Sequence, residues 1–244
     1  MSVNYRIRPS IGLRFSIPLS TFLFIALLLM APFILFILMV LINIGLNPII
    51  AFTITVISII TSPLNIVIAE VTYYPLFTGP FKLPLLPFYR ILFGDDRLFI
   101  ELNVGGGLIP IIISIYLIIN YLIQNYQVLT VFLISLALAS IIINSRSRIV
   151  QGVGVGVPSA LPILITLVFT LIATVILRAN PLAFSYSLGA LSTLIGADLM
   201  NLRKVIHLMR GHVSIGGAGV FDGIYLTSLL SLILASIYKV LLLP

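Results

Sequence analysis

Charge is what this chain has least of. Only 8% of its 244 residues are Asp, Glu, Lys or Arg, where a soluble domain carries about a quarter. So few charges cannot cover a water-exposed surface of this size. With 61% hydrophobic residues, the chain reads as one integral membrane domain over residues 1–244, a multi-pass protein of the cell membrane with the lipid bilayer as its first partner. Cysteine is absent, which excludes disulfides, thiolate metal sites and cysteine nucleophiles. Histidine is nearly so. His207 and His212 are too few for a histidine metal centre and read as solvated loop residues, and no cofactor is expected. Acidic residues number six against thirteen basic ones. In a soluble protein that excess would suggest nucleic acid. Here the positive-inside rule accounts for it, and no nucleic-acid partner is expected.

A membrane helix takes about 20 apolar residues. Seven segments qualify, so the expected fold is all-α and transmembrane: helices over 20–43, 49–69, 105–123, 127–143, 158–177, 182–200 and 216–238. Residues 1–19 form a tail. With the N-terminus in the cytoplasm and the C-terminus outside, eleven of the thirteen basic residues fall on the inner side, leaving Arg178 and Lys239 outside. Helix count and orientation thus support each other.

The connection 70–101 carries Pro75, Pro80, Pro84 and Pro87 among Tyr73, Tyr74, Phe77, Phe81, Phe88 and Tyr89. Proline this dense forbids a regular helix, and aromatics this dense suit a membrane interface. Its end alternates Arg97, Glu101 and Asn103 with Leu98, Ile100 and Leu102, which is strand periodicity. HVSI at 212–215 is a candidate partner strand. A short β-like or re-entrant element is therefore expected at the cytoplasmic face.

The polar motifs fall on that same face. Asn65 ends the second expected helix, NVGGG (103–107) opens the third and QGVGVGVP (151–158) the fifth. Asp198 ends the sixth, and GGAGVFDG (216–223) opens the seventh. An acid in a membrane segment is costly and usually faces a cavity or a partner. Asp198 and Asp222 are the candidate catalytic pair: two carboxyls sharing a proton serve as general acid and base. The plainer alternative pairs each with Arg203 or Lys204, or has Asp222 cap its helix. Gly105, Gly106, Gly107, Gly216, Gly217 and Gly219 either allow close helix packing or unwind helix starts so that amides meet a ligand. With Asn65, Asn103 and Ser214, the glycines at 105, 106, 216, 217 and 219 make the candidate substrate-binding set. No phosphate-loop lysine follows any glycine run, which argues against a nucleotide site.

NVGGGLIP, QGVGVGVPSALP, TLIGADLMNL and SIGGAGVFDGIYLT together resemble the domain-of-unknown-function 1614 family of archaeal and bacterial membrane proteins, over roughly residues 58–238. The resemblance implies a polytopic membrane fold and no particular reaction. A more distant similarity is to intramembrane aspartyl proteases of presenilin and signal-peptide-peptidase type, which carry one aspartate on one helix and a glycine-flanked aspartate opening the next. Ala197 and Phe221 depart from that pattern.

Three readings stand. The first is an intramembrane aspartic hydrolase acting on a membrane peptide, with the strand at 97–104 holding extended substrate. The second is a transporter or pore component whose glycine-rich half-turns bind a small anion or polar solute and whose aspartates carry protons, suggested by the likeness of NVGGGLIP to SIGGAGVFD as a parallel repeat. The third is a non-catalytic scaffold. Oligomeric state is not legible.

Overall fold

A computed structural model describes residues 5–15, 38, 41–42, 46–73, 97–150, 154–158, 160–217 and 223–242. Helices dominate. Helix α1 spans Pro48–Thr61, α2 Val104–Leu122, α3 Tyr126–Arg146 and α4 Ala160–Leu177. Helix α5 runs Pro181–Thr193 and continues as a π-helical turn, Leu194–Leu199. Helices α6 (Leu202–Leu208) and α7 (Gly223–Leu242) follow. Among the described residues four helices are long and apolar enough to cross a membrane: α2, α3, α4 and the run Pro181–Leu208.

Asparagine begins four of these helices. The side chains of Asn47, Asn103, Asn125 and Asn180 accept from the backbone N–H of Ile49, Gly106, Gln127 and Leu182. Each satisfies a donor that the first turn leaves open, worth about 1 kcal/mol. Pro48 and Pro181 follow two of these caps, at the position where the missing N–H costs nothing.

Helix α5 is the axis of the bundle. Every residue of Pro181–Thr193 except Leu191 is buried. Small residues permit the close approach. A methyl on Gly189 would stand 3.2 Å from the Thr227 carbonyl oxygen of α7, and one on Gly196 would stand 2.5 Å from the Ser140 carbonyl oxygen of α3. Without a hydrophobic drive between helices in lipid, such close van der Waals packing is what associates them. The first turns of α5 (Leu182, Ala183) share a core cluster with Leu232 and Ala235 of α7. Its later residues (Ala190, Leu194) share another with Ile224. The two helices therefore run antiparallel.

A sheet stands at one end of this bundle. Strands β1 (Tyr5–Phe15), β2 (Leu64–Tyr73), β3 (Arg97–Asn103) and β6 (Gly211–Ile215) form it in the order β1-β2-β3-β6. Pairing is antiparallel except between β3 and β6. A second, two-stranded sheet joins β4 (Arg148–Val150) to β5 (Gly154–Gly156). Alternation splits the large sheet. Val71, Leu98, Ile100, Val213 and Ile215 pack on Val205, Ile206 and Met209 at α6. Glu70, Phe99, Glu101, His212 and Ser214 take the opposite face, in register with one another. The Tyr73 hydroxyl donates to the Ile206 carbonyl, and Arg210 lies 3.4 Å over the Tyr73 ring.

The fold corrects three expectations. The helix expected over 49–69 stops at Thr61, and Leu64–Tyr73 is a strand. Pro63 breaks the helix, and the β-branched run after it suits a pleated surface better than a helix. Residues 5–15, expected as part of a tail, form an edge strand. His212 lies in β6 instead of a loop. The helix expected over 20–43 falls almost wholly outside the described residues, the one expected over 49–69 is only Pro48–Thr61 long, and the one expected over 216–238 is α7, Gly223–Leu242; among the described residues four of the seven expected helices are long and apolar enough to span. The strand at 97–103 and its partner at 212–215 are present as read.

Candidate functional site

Three polar groupings lie where the sheet meets the bundle. The first is built on Asn103, the last residue of β3 and the cap of α2. Its Nδ2 donates to Asn65 Oδ1 (2.9 Å) and to the Ser62 carbonyl (2.6 Å), and its Oδ1 accepts from Gly106 N (2.7 Å). Ser214 Oγ donates to the same Asn65 Oδ1 at 2.8 Å. Two buried amides, Asn103 and Asn65, thus tie β2, β3, β6 and the start of α2 together. The satisfaction of these groups matters because each would cost about 1–3 kcal/mol if left buried and unpaired.

The glycines lie against this knot. A methyl on Gly106 would meet the Gly216 carbonyl oxygen at 2.3 Å, one on Gly217 would meet Asn103 Cβ at 2.7 Å, and one on Gly105 would meet the Ser58 carbonyl oxygen at 2.1 Å. Gly216 also has φ +75, a region L side chains avoid. Helix start and chain crossing therefore touch backbone to backbone. Of the candidate binding set, Asn65, Asn103, Gly105, Gly106, Ser214, Gly216 and Gly217 converge in one place. Gly219 lies outside the described residues.

The second grouping was not legible as a site. Glu101, whose side chain has 0% exposure, receives Arg14 Nε at 2.8 Å and Arg14 Nη2 at 3.2 Å, and meets His212 Nδ1 at 2.6 Å. Phe99 stacks on the His212 ring with centroids 4.9 Å apart. The carboxylate fixes both the position and the orientation of an arginine and a histidine that each remain partly exposed. Strand alternation had put Glu101 and Asn103 on one face. What joins them to Arg14 and His212 is pairing between distant strands. The same pairing corrects another expectation. Strand β3 is hydrogen-bonded to β2 on one side and β6 on the other, so it has no edge to offer an extended substrate.

The third grouping surrounds Asp198, which is half-buried in the π-turn ending α5. A π-turn leaves carbonyls out of the ordinary helical ladder, and asparagines take them up. Asn144 Nδ2 donates to the Gly196 carbonyl (3.1 Å), and Asn201 Nδ2 donates to the Ala197 carbonyl (2.8 Å) and to Ser147 Oγ (2.7 Å). Lys204 Nζ donates to Asn201 Oδ1 at 3.2 Å. Asp222 lies outside the described residues and directly precedes Gly223, the first residue of α7. Among the described residues no three His, Cys, Asp or Glu side chains stand close enough to hold a metal ion.

A family model described as a protein of unknown function, DUF1614, matches residues 59–234. The chain belongs to the DUF1614 family. The DUF1614 match begins in the last turn of α1 and ends within α7, so it takes in the asparagine knot, Glu101, His212, Asp198 and Asp222. It leaves out β1 and with it Arg14. No curated protein and no solved structure matches the chain, and the likeness to intramembrane aspartyl proteases finds no support in these comparisons.

Proposed function

We propose that this DUF1614 protein is a multi-pass protein of the cell membrane, with its four-stranded sheet on the cytoplasmic side, and that it hydrolyses a membrane peptide with Asp198 and Asp222. The sidedness follows from the basic residues at the sheet end of the bundle: Arg6, Arg8, Arg14, Arg97, Arg146, Arg148, Arg203, Lys204 and Arg210.

One observation carries the hydrolase reading, the antiparallel pairing of α5 with α7. Gly189 faces Thr227, Ser228 and Ser231. Asp198 lies nine residues beyond Gly189, about 13 Å along a helix. Gly223 lies four to eight residues before Thr227 and Ser231, about 6–12 Å in the same direction. The Asp198 turn and the residue that follows Asp222 therefore stand near one level at one end of the bundle. The asparagine frame around Gly196 and Ala197 supports the reading, because a general acid or base needs a fixed position.

Chemically, one carboxylate takes a proton from water as its oxygen attacks the peptide carbonyl carbon. The other, protonated, gives its proton to the leaving nitrogen as the C–N bond breaks. Asp198→Asn and Asp222→Asn, each reconstituted in liposomes with a membrane peptide library, test this. Cleavage by the native chain that vanishes in both variants is the expected result. Cleavage that survives either substitution overturns it.

A transporter is the second reading, favoured by the buried hydroxyls of Thr174, Ser192 and Thr193, which have no hydrogen-bond partner among the described residues. A hydrated path would satisfy them. In this reading the aspartates carry protons, so solute flux through proteoliposomes by a native chain that cleaves no peptide, lost in Asp222→Asn, selects it over the first.

A further inference from the structure

The outer edge of the sheet carries a feature that neither reading uses. Strand β1 places Ile7 opposite Val71 and Leu13 opposite Ile66, so Ile7 and Leu13 share the face that packs on α6. Yet Val71 and Leu98 are 0% exposed, whereas Ile7 is 51%, Leu13 71% and Ile11, beside the bulge between Pro9 and Gly12, 96% exposed. The protein covers the middle of this apolar face and leaves its margin bare. Across the strand, Arg6 and Arg8 are exposed on the opposite face. Strands β2, β3 and β6 lie within three residues of α1, α2 and α6, which keeps the sheet at the end of the apolar bundle.

We infer that β1 docks on the inner leaflet of the membrane, with Ile7, Ile11 and Leu13 among the acyl-chain segments just below the headgroups and Arg6 and Arg8 reaching acidic phospholipid headgroups. An apolar face backed by basic residues is the composition of an element that lies in the interfacial plane, and arginine stems are long enough to reach the phosphates from the far face. Continuity with the bundle argues for lipid as occupant, because the sheet face that packs on α6 runs outward to a bare apolar margin, and the spanning helices of the same bundle expose Ile112, Ile115, Leu133 and Ile134. Two arginines supply the matching charge for anionic headgroups. The surface would serve a hydrolase or a transporter alike.

The absence of native cysteine makes a single-site label straightforward. Full-length Ile11→Cys, carrying an environment-sensitive fluorophore, is placed in nanodiscs of zwitterionic lipid with or without phosphatidylglycerol. Ile11 is almost fully exposed, so the substitution removes no packing. The expected result is blue-shifted emission quenched by spin-labelled lipid, stronger in the anionic discs. Adding Arg6→Ala or Arg8→Ala lowers the ratio of lipid-quenched to water-exposed label about fivefold each in anionic discs only. Emission typical of water in both discs overturns the inference. Shielding without lipid quenching, accompanied by dimers linked through the introduced thiol, also overturns it and assigns the edge to a second copy.

Discussion

Asn103 donates to Asn65 across the β2–β3 pair at 2.9 Å while its own oxygen caps the first turn of α2. A single side chain thus fixes both the sheet register and the start of a membrane helix. Asn103→Ala strips the cap, leaving Gly106 N–H unpaired in a buried place, and also removes the donor to the Ser62 carbonyl and Asn65 Oδ1, so it should cost about 2–4 kcal/mol, the cap loss and the lost amide bonds together. Ser214→Ala removes only one neutral hydrogen bond and should cost about 1 kcal/mol. Thermal unfolding of both variants in detergent checks the order. Equal losses would mean the knot is not centred on Asn103.

Gly106→Ala should be strongly destabilising, because its methyl would drive into the Gly216 carbonyl oxygen at 2.3 Å and backbone must move on both sides. A cost of about 2 kcal/mol or more is expected. Gly156→Ala is the control. Its methyl would meet Val150 Cγ2 at 3.5 Å, an ordinary contact, and unfolding should be nearly unchanged. Were the glycines at 106 and 216 an open ligand cradle, Gly106→Ala would fold normally and lose only binding.

Glu101→Gln removes the charge that holds Arg14 and His212. Breaking a fully buried pair costs about 3–5 kcal/mol, but Arg14 and His212 are partly exposed and partly screened, so about 2 kcal/mol is expected. Arg14→Gln leaves the carboxylate buried with His212 alone and should cost a similar amount. The double variant should recover part of the loss. Chemical denaturation of the three variants measures the coupling, and strict additivity would show that the clamp does not act as a unit.

Much of the bundle was legible, because an uncharged apolar run of membrane length has little use outside a bilayer. The spans expected at 105–123, 127–143, 158–177 and 182–200 correspond to α2, α3, α4 and α5. Alternation in RLFIELN marked β3. Strand β2 was not legible, because a continuous apolar run after α1 has no period that separates strand from helix, and only Pro63 hinted at the break. Strand β1 does alternate Arg6 and Arg8 with Ile7, but Pro9 and Gly12 interrupt the pattern where the bulge falls. Asn65, Asn103 and Ser214 were found from their position beside glycines at one membrane level. Arg14 and His212 were missed because they meet Glu101 only through strands far apart in the chain.

Asn201→Ala should act on chemistry as well as on folding. It removes the donor to the Ala197 carbonyl, the Gly196 carbonyl and Ser147 Oγ, one side of the frame beside Asp198, while Asn144 still holds Gly196. In the hydrolase reading, turnover of the folded protein should fall at least about tenfold, since misplacing an acid–base group costs rate steeply, beside a stability loss of about 2 kcal/mol. Unchanged turnover would detach the frame from the reaction.

The paired carboxyls are tested most directly by replacing both aspartates with cysteine in this cysteine-free chain and treating membranes with a short bismaleimide spanning about 10 Å, the reach over which one water and a scissile bond bridge two acids. Glu70→Cys with Arg97→Cys, whose native side chains meet at 3.1 Å, reports that the reagent works. An intrachain cross-link between positions 198 and 222, as efficient as in that control, is the expected result. A control that links while the aspartate positions do not would contradict it.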